Sequence, residues 1–174
     1  EKVMGKLRGP KGSQVNLSIK RASSKTPLEF DVVRGDIPVN SVDVSFKINE
    51  KTGYLKISKF GRTTYDEFMN ALAKLKKEGA EKYIIDLRGN TGGYMEAAIN
   101  MVNEFLPKGQ LIVYTEGKAF KREEAYSNGT GAFQKNQVII LMDEWSASAS
   151  EIFAGAIQDN DRGLIVGRRS FGKG

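Results

Sequence analysis

From Val42 onward, short apolar runs alternate with longer segments whose apolar residues recur every three to four positions, and this alternation restricts the fold more than any other feature of the chain. Val42–Ile48 and Tyr54–Phe60 read as strands around the turn-rich connection Asn49–Gly53. Thr64-Tyr-Asp-Glu67 matches a capping box, after which Tyr65, Phe68, Met69, Leu72 and Leu75 keep helical spacing up to Gly79. Tyr83–Leu87 is a short apolar strand, and Met95, Ala98, Ile99, Val102 and Phe105 line an amphipathic helix stopped by Pro107. Leu111–Tyr114 and Val138–Met142 read as strands, with Phe120–Gln137 a polar loop between them. Ile152, Phe153, Ala156 and Ile157 line a last helix ending near Asp159-Asn160, and Leu164–Val166 follows as a strand. This order implies an α/β fold, a mostly parallel sheet with helices packed on it.

Residues 1–40 read as a separate unit. Val3, Met4 and Leu7 share one face of a helix ended by Gly9-Pro10. Val15, Leu17 and Ile19, then Leu28, Phe30 and Val32, alternate with polar residues as half-buried strands do, with a turn at Ser23-Ser24 and a stop at Ile37-Pro38. Two strands and one short helix cannot bury a complete core. Within the first 25 residues Lys2, Lys6, Arg8, Lys11, Lys20, Arg21 and Lys25 stand against Glu1 alone, which accounts for the whole net charge of +6. No aromatic RNA-binding signature or helix-turn-helix pattern accompanies these cations, so they read as a solvated surface, not a nucleic-acid site. The longest apolar run, Val138–Met142, is far too short to span a bilayer, so no stable membrane insertion is expected.

The 174 residues include no histidine and no cysteine. That removes His-based nucleophile systems, thiolate chemistry, disulfides, zinc fingers and iron–sulfur clusters. An acid–base catalyst in this chain must therefore be a carboxylate, a lysine or a tyrosine.

Three segments fall at the carboxyl ends of strands, where functional residues gather in open α/β sheets. They are Trp145-Ser-Ala-Ser-Ala-Ser-Glu151, Arg88-Gly-Asn-Thr-Gly-Gly93 and Gly167-Arg-Arg-Ser-Phe-Gly-Lys173-Gly174. A serine hydroxyl is a weak nucleophile and needs a base. Without histidine, a lysine whose amine burial keeps neutral can serve as that base. A serine at a helix start also sets backbone N–H groups beside a developing oxyanion, here the amide of Ala149 and one from the Gly92-Gly93 turn.

Each segment has a structural reading too. Ser148-Ala-Ser-Glu151 fits a capping box, Gly92-Gly93 a tight turn, Lys173 a surface lysine, Arg88 a partner of Asp86, and Trp145 a packing residue. Gly167-x4-Gly172-Lys173 approaches a phosphate-binding loop, but Gly174 stands where Ser or Thr should hold magnesium.

Together, Tyr83–Gly93, Ser146–Asp159 and Gly167–Gly174 resemble the C-terminal processing peptidases, or tail-specific proteases, from about Lys2 to the end of the chain. The resemblance implies a Clp protease/crotonase-like α/β core with Ser148 as nucleophile, Lys173 as base, and Ala149 with Gly92 or Gly93 as oxyanion donors. It implies no cofactor or metal. It implies a serine endopeptidase that cleaves polypeptides near their C-terminal tails, acts on substrates with apolar C-termini, and is exported to the periplasm or cell envelope; a homo-oligomer is compatible with it. Residues 1–40 resemble the C-terminal part of a PDZ domain plus linker, and 41–174 a peptidase core truncated at its C-terminus. The family's glutamine four positions beyond the lysine and the carboxylate-binding loop of its PDZ domain have no counterpart here, so this stretch is expected to be weakly active or inactive. The alternatives are a non-catalytic module that binds peptide tails and a P-loop-like nucleotide binder.

Overall fold

A computed structural model describes residues 2–35 and 39–173. The Ile37-Pro38 stop and Gly174 lie outside the described residues. Two compact units divide the chain, Glu1–Val39 and Asn40–Gly174.

In the first unit a helix, α1 (Lys2–Leu7), precedes an antiparallel hairpin of β1 (Gln14–Ile19) and β2 (Leu28–Val33), in register from Gln14 opposite Val33 to Ile19 opposite Leu28. Arg34 joins these elements. Its guanidinium donates to the Leu7 carbonyl at 2.7 Å, the Lys6 carbonyl at 3.1 Å, and the Ser13 hydroxyl and Gln14 carbonyl at 2.9 Å each. A cation thus satisfies carbonyls that the end of α1 leaves open. Val3, Met4, Val32 and Val33 remain exposed, as expected of elements too few to close a core.

The second unit is a five-stranded sheet in the order β3 (Val42–Lys47), β4 (Thr52–Ile57), β5 (Lys82–Asp86), β8 (Gln137–Met142), β9 (Leu164–Gly167). The β3–β4 pair is antiparallel and the other three pairings are parallel. Leu55, Ile85, Ile140 and Ile165 form one row across it; the first three are fully buried and Ile165, on the edge strand, is partly buried. Helices α2 (Thr64–Lys77), α3 (Met95–Asn103) and α4 (Ala149–Asp159) share one core with that face. Phe153 anchors it edge-on to Phe68 and Phe105, with ring centroids 6.4 and 6.2 Å apart.

Two local expectations fail. Phe120–Gln137 is not all loop, because β7 (Phe120–Tyr126) pairs antiparallel with β6 (Leu111–Gly117) as a separate hairpin. Its residues are almost all exposed, so no buried face imprinted an alternation on the sequence; polar cross-strand contacts hold it, including Arg122 over the Tyr114 ring at 3.9 Å. Thr64 is also the first residue of α2 and not its cap. Glu67, the presumed partner in that box, accepts the hydroxyl of Thr63 at 2.7 Å with one carboxylate oxygen and the Ser41 and Val42 amides at 2.6 and 3.0 Å with the other, and so pins the start of β3.

Phe153 is fully buried where three packed elements meet. Phe153→Ala is expected to cost about 3–5 kcal/mol in urea unfolding of the chain, with an unchanged denaturant slope. A loss below about 1 kcal/mol would mean this junction is not the core.

Candidate active site

The carboxyl ends of β4, β5, β8 and β9 lie together, and the loops that leave them hold the three segments singled out above. The segment from the end of β8 into the first turn of α4 carries three serines with different fates. Ser146 is buried and donates its hydroxyl to the Leu87 carbonyl at 2.8 Å. Ser150 is buried and donates to the Asn90 carbonyl at 2.9 Å. Both stitch the β8 loop to the β5 loop, while Ser148, between them, is partly exposed.

Ser148 also has the backbone of a strained turn, with φ 56° and ψ −116°. A non-glycine residue held there costs on the order of 1–3 kcal/mol, and such residues concentrate at functional sites. With Glu151 it forms one arm of a capping box at the start of α4. That arm is Ser148 N–H to Glu151 Oε2 at 2.8 Å. Glu151 N–H donates to the Ser148 carbonyl at 2.8 Å, and the Ser148 hydroxyl makes no cap hydrogen bond of its own.

The glycine turn fits against this serine. A β-carbon on Gly92 would sit 2.6 Å from the Ala147 carbonyl oxygen and 2.8 Å from Ser148 Cβ, and on Gly93 2.0 Å from the Phe60 carbonyl oxygen. Only glycine allows so close an approach at their φ values of 95° and 147°. Buried Asn90 sets the turn: its side chain donates to the Ile57 carbonyl at 3.0 Å and accepts the Gly92 N–H at 2.8 Å, and its carbonyl accepts Ala147 N–H at 3.0 Å. Gly92 N–H is thereby spent. The N–H groups of Gly93 and Ala149 have no partner among the described residues.

Lys173 approaches through its backbone. The Glu151 carboxylate accepts Lys173 N–H at 2.8 Å, Gly172 N–H at 2.7 Å and the Ser170 hydroxyl at 2.7 Å, besides Ser148 N–H. Phe171 N–H adds a bond to the Ser146 carbonyl at 3.0 Å. Lys173, however, is exposed among the described residues, where the sequence led us to expect a sheltered amine. Trp145, expected to pack, is 60% exposed. Arg88 does pair with Asp86, Nη2 to Oδ2 at 2.6 Å. Burial pushes the Asp86 carboxyl up, but hydrogen bonds from Arg88 and Tyr54 and the nearby Lys56 charge outweigh it and bring it down to about 2. Arg88 is therefore committed to structure.

The sequence marked Glu151 only as a helix cap, not as the clamp on the Gly172-Lys173 backbone, and nothing marked Asn90 beyond its place between glycines.

Residues 51–174 match the model of peptidase family S41. The chain is 37% identical to a carboxyl-terminal-processing protease of Synechocystis sp., over 100% of this chain and 41% of that protein. It is 36% identical to carboxy-terminal processing protease CtpB of Bacillus subtilis, over 97% of this chain and 35% of that protein. Among solved structures, the photosystem II D1 C-terminal processing protease superposes with a TM-score of 0.70 at 26% identity, over 95% of this chain and 46% of that one. The chain thus spans between about a third and two fifths of the length of these two sequence relatives.

Burial pushes the Glu151 carboxyl up, but the hydrogen bonds from Ser170, Lys173, Ser148 and Gly172 outweigh this and hold it below its ordinary value. A depressed acid contributes stability that is present above its unfolded pKa of about 4.3 and lost as pH falls through the lower folded value. Glu151→Gln should therefore lower thermal stability at neutral pH, with the gap to the parent closing below about pH 4. Amide hydrogen exchange at Ser148, Gly172 and Lys173 should speed up in the same variant, and unchanged protection there would show that the carboxylate does not hold the two segments.

Proposed function

The chain belongs to peptidase family S41, and from that premise we propose that it carries the reacting residues of a serine endopeptidase that cleaves polypeptides near their C-terminal tails. The observation that supports this most is local. Ser148 is the partly exposed serine of its run, held at positive φ against the Gly92 turn, and the N–H groups of Ala149 and Gly93 have no partner among the described residues.

In this reading the Ser148 hydroxyl attacks the scissile carbonyl carbon and the unprotonated Lys173 amine takes its proton. The tetrahedral oxyanion accepts hydrogen bonds from Ala149 N–H and Gly93 N–H; Gly92 N–H, already donated to Asn90, is the poorer candidate. Collapse expels the amine fragment, which takes the proton from Lys173. Water, deprotonated by the same amine, then releases the acyl group and restores the hydroxyl. Glu151 is a positioning residue, joining the backbone of nucleophile and base through one carboxylate.

The substrates proposed are polypeptides with apolar C-termini. Residues 1–40 are assigned to the C-terminal part of a PDZ domain with its linker, and export to the periplasm or cell envelope belongs to the same proposal. No helix among the described residues is long and apolar enough to cross a membrane. A phosphate-binding role for Gly167–Lys173 is disfavoured, since the Gly172 and Lys173 amides that an anion would need already serve Glu151.

In the full-length protein, Ser148→Ala and Lys173→Ala should each abolish cleavage of an unstructured peptide with an apolar C-terminus, a loss of roughly 10³-fold or more. Lys173→Arg should fail as well, because a guanidinium does not give up its proton. The parent's kcat/KM should rise with pH as an amine base deprotonates. Cleavage retained in Ser148→Ala would reject the assignment, while tight peptide binding without turnover by the parent would favour a non-catalytic tail-binding module. The 174-residue chain alone, with Lys173 exposed, should turn over weakly or not at all.

A further inference from the structure

Thr64, the first residue of α2, is fully buried together with its hydroxyl. That hydroxyl accepts Gly61 N–H at 2.7 Å, donates to the equally buried Ser41 hydroxyl at 2.6 Å, and lies 3.4 Å from the Lys59 carbonyl oxygen. Gly61 N–H and the Lys59 carbonyl are the far ends of the two peptide groups that flank Phe60. The near ends of the same two peptides face the glycine turn. Phe60 N–H donates to the Gly92 carbonyl at 3.0 Å, and the Phe60 carbonyl accepts Tyr94 N–H at 2.8 Å. A peptide group is planar and trans, so its C=O and N–H point in opposite directions, and holding one end holds the other.

Gly93 hangs between those two bonds, in a parallel bridge with Phe60. Its N–H shares one planar unit with the Gly92 carbonyl. The bond from Phe60 N–H to that carbonyl therefore sets where the Gly93 N–H points, and by polarising the peptide it also strengthens the N–H as a donor. Two successive glycines, at φ 95° and 147°, have no side chains with which to hold such a direction themselves. The aim of the Gly93 N–H is supplied from outside the turn, and the residue that sets both peptides around Phe60 is Thr64.

We propose that Thr64 is a positioning residue for the oxyanion hole: through Phe60, its buried hydroxyl keeps the Gly93 N–H directed at the oxygen of the tetrahedral intermediate. The proposal rests on the reading of Ser148 as nucleophile and of Gly93 as an oxyanion donor. It adds the loop from β4 into α2 to the three segments already placed at the site. Thr64 is buried and acts only through the donor, so its effect falls on the state in which charge develops on the substrate oxygen and spares substrate binding.

The test uses the full-length protein and an unstructured peptide. Thr64→Val keeps the shape of the side chain and removes the hydroxyl. It should lower kcat on the order of tenfold, short of the roughly 10²–10³-fold cost of losing a whole oxyanion donor, with KM within about twofold of the parent. A peptide aldehyde ending at the cleavage site, which Ser148 converts to a tetrahedral adduct, should lose affinity by the same factor as kcat. The intact peptide should bind Ser148→Ala equally well with and without Thr64→Val. Thr64→Ser, which keeps the hydroxyl, should restore kcat to within about threefold of the parent. Tyr94→Pro removes the N–H that the Phe60 carbonyl accepts, at an exposed position whose φ of −69° suits proline. It should show the same split, and it carries the test if Thr64→Val does not fold. Parental kcat in either folded variant, a Thr64→Ser as slow as Thr64→Val, or equal losses of aldehyde and intact-peptide affinity would overturn the positioning role and leave the nucleophile in place. Cleavage retained in Ser148→Ala would instead overturn the nucleophile.

Discussion

One carboxylate holds the site in register. Glu151 receives four hydrogen bonds, one from the residue that carries the candidate nucleophile and three from the loop that carries the candidate base. The loop after β9 has little else to hold it: it lies outside the sheet, makes no helix, and exposes Phe171 and Lys173. The order of this loop therefore depends on an ionised acid at the first turn of α4, where the helix dipole also favours negative charge. The same acid that starts the helix brings the third segment to the second.

A different residue joins the second segment to the first. Asn90 is fully buried and uses its side chain on the β4 and glycine-turn backbones and its carbonyl on the β8 loop. Its amide is neutral, so it can be buried without the cost of desolvating a charge, and every polar atom it carries finds a partner. Ser146 and Ser150 reinforce the same seam. Ser148 is thus held in its unfavourable backbone conformation by rigid neighbours on both sides, as a strained residue must be if the strain is to persist.

Where a residue's role followed from a repeating pattern, it was legible in the sequence. The strands around Ile85 and Ile140 and the helices around Phe68 and Phe153 bury one face each, and burial writes a period into the chain. The β6–β7 hairpin buries almost nothing on β7 and left no period to read. The serine, the lysine and the glycine pair were visible as motifs. Which glycine offers its amide was not, because that depends on Asn90 taking the other one, a contact made only when two loops meet. Glu151 was visible as a helix cap and invisible as a clamp, since its other donors lie 19 to 22 positions away.

The exposure of Lys173 separates two requirements that the Ser/Lys pairing merges. Position is supplied within the chain, through backbone bonds to Glu151 that leave the side chain free to extend. Neutrality of the amine is a matter of solvent, since an ammonium in water keeps its proton at neutral pH and only burial or a neighbouring cation takes it away. The two are physically independent: a hydrogen-bonded backbone can be in place while the amine is still wet. In the proposed reading, burial of Lys173, by a bound substrate segment for example, would act on the rate through the amine and leave the scaffold beneath it unchanged.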